Sequence, residues 1–117
     1  MSLIPMKNQR LVLHNQLSSI SGVKKVYYQP PMSSKLVYPC IIYSFNDFST
    51  SQAANYDYLR FPTYTVTVID FDVESDIPER LLNTKGDFLV SFDRFFTADN
   101  LNHWSFSLVM TKGTLEE

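Results

Sequence analysis

The sequence predicts an α+β domain, an antiparallel-dominated β-sheet with two helices packed on one face. Three observations predict it. Residues 4–20 and 75–86 carry helical periodicity or helix-end signals. Five other stretches are rich in β-branched and aromatic residues. Their order is helix, two strands, a long loop, strand, helix, two strands, which is the pattern of an α+β architecture. With 117 residues, the chain suits one domain spanning 1–117. The apolar fraction of 44% and aromatic fraction of 15% can build a core without disulfide or metal.

The first helix is read over residues 4–20, because Met6, Leu13, Leu17 and Ile20 recur at helical spacing. Gly22 supplies a left-handed stop. VKKVYY (23–28) is β-favouring, and Pro30-Pro31 ends it because proline donates to no ladder. YPCIIYSF (38–45) is almost continuously apolar, as in a strand covered on both faces. Residues 46–59, NDFSTSQAANYDYL, show no sustained period and read as a long mobile loop, a candidate contact arm. In TYTVTVIDFD (63–72), Tyr64, Val66 and Val68 fall on one face and Thr63, Thr65 and Thr67 on the other. Pro39 and Pro62 are each expected at a strand's entry. The second helix has a capping-box signature, Asp76 followed by Glu79, with Pro78 in its first turn and Gly86 as its stop. FLVSFDRFF and HWSFSLVM close the chain as strands, with Trp104, Phe106, Leu108 and Met110 facing inward and the serines outward.

Composition narrows function. No apolar run approaches the roughly 18 residues of a membrane span, and no basic-then-apolar secretory signal opens the sequence. Cys40 is the sole cysteine, so it forms no intramolecular disulfide and reads as a small buried hydrophobe. Charge is lopsided. Residues 1–46 hold five cations (Lys7, Arg10, Lys24, Lys25 and Lys35) and no carboxylate, whereas residues 47–117 hold twelve carboxylates against five cations. Opposite-signed regions favour head-to-tail docking between copies.

Candidate chemistry is sparse. Asp70, Asp72, Glu74 and Asp76 alternate as if to ligate a hard cation, but the glycine and distal glutamate of a calcium loop are missing. A solvated acidic turn with Asp76 as helix cap explains them. His14 and His103 are the only histidines, and no nucleophile elbow, phosphate-cradling glycine loop or paired-carboxylate motif accompanies them. Asp99, Asn100, Asn102, His103 and Trp104 crowd into residues 99–104. Asp and Asn there suit a turn, so Asp99, Asn100 and His103 are assigned to turn shape and strand register. No catalytic residue, metal ligand or cofactor is expected. Lys24 and Lys25 beside Tyr27 and Tyr28 form the best nucleic-acid candidate, with aromatic platforms next to cations.

Four stretches, GVKKVYYQPP, LVYPCIIY, YTVTVIDFDVESDIPERLL and FDRFFTADNLNHWSF, together resemble a family of small tail-completion proteins. The family comprises tail terminators and head–tail joining proteins of long-tailed bacteriophages and prophages of Gram-positive hosts. The resemblance covers residues 10–110. It departs at DVES (72–75), where such relatives commonly carry a proline-containing DPDS. It implies a virion structural protein, made in the host cytoplasm, without catalysis or cofactor. Such a subunit forms a ring, often hexameric, that caps the tail tube or joins it to head-connector proteins and passes DNA through its lumen. The expected contact residues are Tyr27, Tyr28, Pro30 and Pro31, the arm residues Phe48, Tyr56 and Tyr58, and Asp72 and Glu74 of the acidic turn. A small nucleic-acid-binding protein is the alternative from another class.

Overall fold

The computed structural model describes residues 6–31, 34–53, 57–111 and 114–115. Helix α1 (Met6–Ser18) docks through a single stripe: Leu13 and Leu17 are fully buried and Ile20 follows them into the core. The chain then turns at Gly22, whose φ of 96° is left-handed and costs little only without a Cβ. A Cβ there would stand 3.2 Å from Arg80 and 3.4 Å from Ile77. The same glycine therefore ends the first helical segment and admits the second helix.

Strands β1 (Lys25–Tyr28), β2 (Cys40–Ala53) and β3 (Asp57–Asp70) precede helix α2 (Ile77–Asn83), and β4 (Phe88–Ala98), β5 (Leu101–Met110) and β6 (Thr114–Leu115) follow it. They form one sheet in the order β1-β2-β3-β5-β4, with β6 on the side of β3. Only the β1–β2 pair is parallel. The α+β class read from the sequence is the class observed.

Register explains how the two faces divide. Tyr28, Tyr43, Val66, Phe106 and Phe92 stand in one row across all five strands. Val26, Ile41, Val68, Trp104 and Phe95 stand in the next row on the same face. Phe92 and Phe95 on β4 are exposed, whereas over β1, β2, β3 and β5 both rows lie under the helices, in one cluster with Leu13, Leu17, Ile77 and Leu81. Each such side chain contributes about 1.5–3 kcal/mol of burial, so this layer supplies most of the stability. The opposite face carries the intervening residues. Its central row is Ser44, Thr65, Ser107 and Ser91. A small apolar cluster of Cys40, Ile69 and Leu101 closes one end of it.

Several expectations need correction. The stretch at 46–59 is not a loop: β2 continues to Ala53 and β3 begins at Asp57, paired row by row. No period-2 hydrophobic signal marks the segment in the sequence. Pro62 sits inside β3 rather than at its entry. It pairs with Phe48 of β2, and on the other side it falls between the part of β3 paired with β5 and the part paired with β6, so its missing donor interrupts neither of those two pairings. The capping box does not form. Asp76 is in the right-handed helical region with no side-chain cap bond, and the amide of Ile77 donates instead to Ser75 Oγ at 3.3 Å. The second helix stops at Thr84, which is extended, rather than at Gly86. Trp104 is half-buried and Ser105 is buried, so the inward and outward division of β5 is less strict than its pattern predicts. Residues 4 and 5 of the expected first helix lie outside the described residues.

Candidate assembly surfaces

The arm is a continuation of two core strands. A bulge at Asn46 shifts the β2–β3 register, and such bulges bend and twist a strand. Thr63 Oγ1 donates to the Asp47 carbonyl at 2.8 Å, and the Phe48 amide donates to Asp47 Oδ1 at 2.7 Å. Both bonds fix the bend. Beyond it, six residue pairs run from Phe48↔Pro62 to Ala53↔Asp57, a ribbon of about 20 Å at 3.4 Å per residue. Phe48 packs edge-on to Phe45 at 4.9 Å, with the Arg60 guanidinium 5.6 Å above its ring. Tyr58 belongs to β3, but its side chain, like all of Tyr56, lies outside the described residues.

Tyr27 and Tyr28 do not form a joint platform. As neighbours on one strand they point to opposite faces. Tyr28 packs on Tyr43 with ring centroids 4.8 Å apart and planes tilted by 35°, beneath the Arg10 guanidinium at 4.5 Å. Tyr27 accepts a bond from the Val37 amide at 3.0 Å, and Lys25 Nζ lies 5.9 Å from its ring. Pro30 and Pro31 line a trough of about 530 Å³ with Leu36, Ile42 and Ser44. That trough lies on the face without helices, beside the base of the arm.

The acidic turn lies at the far end of the sheet from the arm, since β3 runs from Asp57 in the arm to Asp70. Asp70 Oδ1 accepts from the Asp72 amide at 3.2 Å, and Asp72 Oδ1 from the Glu74 amide at 2.9 Å. Consecutive side-chain-to-backbone turns therefore replace the extended alternation, and the carboxylates do not converge. Among the described residues no group of three or more His, Cys, Asp or Glu could hold a metal. Phe71 and Val73, between the acids, are 66% and 63% exposed. The turn thus offers apolar as well as acidic surface.

The crowded segment at 99–104 resolves into a two-residue hairpin. Ala98 pairs with Leu101, and Asp99 and Asn100 both have positive φ, 53° and 62°, the requirement of a type I′ turn. Asn102 Nδ2 donates to the Phe71 carbonyl at 3.0 Å, tying this hairpin to the acidic turn. His103 stacks on Phe96 at 4.7 Å and 12°, on the face without helices. His14 lies on the other face, where its Nδ1 is 2.8 Å from the Tyr43 hydroxyl. Arg10 also donates to that hydroxyl, at 3.2 Å, which suits a neutral His14 accepting the phenolic proton. Burial first, then the Arg10 charge, lowers the pKa of His14. The sheet separates the two histidines, so they build no common site. Cys40 is fully buried, and burial pushes its thiol up to about 11, the opposite of an activated nucleophile.

One surface has no counterpart in the sequence reading. Edge strand β4 exposes Leu89, Phe92 and Phe95 at 65%, 49% and 43%. The segment reads as a β-favouring strand, but nothing in its composition says that it lies at a sheet edge. No helix among the described residues is long and apolar enough to cross a membrane. No protein-family model matches the chain, and no curated protein matches it either.

Proposed function

We propose that this protein is a virion structural component of a long-tailed bacteriophage or prophage, which caps the tail tube or joins it to the head connector as an oligomeric ring. The observation that carries the reading is the arm. A paired ribbon of about 20 Å continues β2 and β3 past the bulge at Asn46, β6 pairs with it only at Leu59 and Arg60 among the described residues, and Phe48 at its base is half-buried. Backbone ribbons of that kind recruit further chain by edge pairing. The wording shared with tail-completion proteins supports the same reading. Contact residues then divide between Phe48 with the rest of the arm at one end and Asp72 with Glu74 at the other, as a subunit clamped between two partners requires. The ring, its tail-tube and head-connector partners and its lumen for DNA belong to this proposal, as does its place at the head–tail junction.

Base-stacking through Tyr27 and Tyr28 has weaker support, because Tyr28 is packed under Arg10 and Tyr27 points to the other face. Removing residues 49–61 and joining Phe48 to Pro62, which pair across the two strands, with a two-residue turn tests the proposal. The expected result is a folded domain that no longer restores attachment of tails to heads in a complementation assay. Normal joining without the arm would overturn its role.

A further inference from the structure

We infer that the β4 edge of one copy pairs with the β1 edge of the next copy, head to tail, so that the sheet continues from subunit to subunit. The inference rests on the ring reading and names the surface that builds the ring. Its basis is the contrast between the two edges. In the strand order β1-β2-β3-β5-β4, β1 and β4 are the two ends, and among the described residues no strand pairs on the outer side of either, where an edge offers backbone donors and acceptors. Lys24 and Lys25 are exposed at the β1 edge, with Arg10 of the helix above and Lys35 in the connection that follows. The segment containing β1 carries no carboxylate up to residue 46. At the β4 edge, Asp93 is the bulged residue between Phe92 and Arg94, and Asp87 and Asp99 bracket the strand. Arg94 is the single cation between them.

Charges and bulges at an edge ordinarily guard against pairing. Here the guards differ in sign. Two β1 edges repel each other, and so do two β4 edges, while an unlike pair attracts. That is the arrangement that permits one pairing and forbids two. Direction agrees. β1 runs parallel to β2, and each later step across the sheet is antiparallel, so β4 runs opposite to β1. Copies placed side by side with the same face outward thus meet as an antiparallel pair, the pairing that needs no inversion of either subunit. The exposed side chains agree as well. Leu89 flanks the β4 edge on the open face, and Phe92 and Phe95 flank it on the helix-bearing face. On the β1 side, Val37 is 50% exposed beside Tyr27. A heterologous contact of this kind closes into a ring when the rotation between copies permits.

The test uses the full chain carrying Lys25→Cys and Asp93→Cys together, oxidised under native conditions. Three strands separate the two positions, which is about 19 Å at 4.8 Å per spacing, so no link forms within one copy. Cys40 is fully buried and stays silent. The expected result is a ladder of linked multimers on a denaturing gel, and no ladder from either single variant. Charge exchange supplies the second arm, since all four positions are exposed. K24E/K25E and L89K/D93K each lose assembly, and the chain carrying all four substitutions regains it. An oligomer that forms but neither cross-links nor answers to charge exchange refutes the edge pairing and leaves the ring reading standing. A chain that stays monomeric with and without tail tubes refutes both.

Discussion

Strand β3 offers the sharpest comparison in the molecule, because it presents two surfaces of different purpose on alternating residues. Tyr64, Val66 and Val68 are at most 1% exposed and lie beneath the helices. Thr63, Thr65 and Thr67 share the same backbone and stay half-exposed, in a row with serines from three other strands. One face holds the domain together through burial. The other is hydroxyl-rich and, among the described residues, carries no helix over β3 and β5, with a trough of about 430 Å³ between the arm base and Leu89–Ser91. Side-chain alternation alone separates the buried face from the hydroxyl-rich one.

The largest effect that would break this comparison lies on the helix-bearing face. Phe106 is fully buried, and Phe106→Ala should cost about 3–5 kcal/mol in chemical denaturation. The matching change on the open face, Thr65→Val, should shift stability by no more than about 0.5 kcal/mol. Comparable losses at both positions would mean that the open face is part of the core.

An intermediate effect belongs to the hairpin between β4 and β5. Asn100 holds a φ of 62°, so Asn100→Ala should lose about 1 kcal/mol through left-handed strain. Asn100→Gly should lose nothing measurable. If the alanine variant unfolds at the wild-type denaturant midpoint, the turn does not set the register.

The smallest effect is a pH dependence on the helix-bearing face. The His14 pKa is lowered from its ordinary 6.5 in the folded state, first by burial and then by Arg10. The unfolded chain therefore takes up a proton more readily than the folded one. Stability from this group is complete above about pH 6.5 and is lost as pH falls below it. A His14→Gln variant should show a flatter stability profile between about pH 7 and pH 5. An unchanged slope would place the titration elsewhere.

The two regions also differ in how legible they were. Tyr64, Val66 and Val68 announce themselves, because one buried face and one solvated face give period two. The arm hides for the complementary reason: Ser49, Thr50, Ser51 and Gln52 alternate nothing and resemble a loop. Sheet order was hidden too. Leu89, Phe92 and Phe95 would suit a central strand equally well, and only pairing reveals them at an edge. At Asp76 the capping signature was present but unused, since Ser75 took the role one residue earlier. Asp99 and Asn100 are legible as turn-formers, and both hold positive φ, because two residues with tolerance for positive φ between two β-favouring runs leave few other conformations. No sequence feature placed His14 and His103 on opposite faces. That follows from the packing of α1 on one side and the alternation of β5 on the other.

Assembly is the central claim, and the mass of the native protein in solution, alone and with purified tail-tube protein, tests it most directly. A closed oligomer of one discrete size, or one that forms at the ends of tubes and stops their growth, is the predicted result. A monomer at every concentration that leaves tube length unchanged would contradict the account.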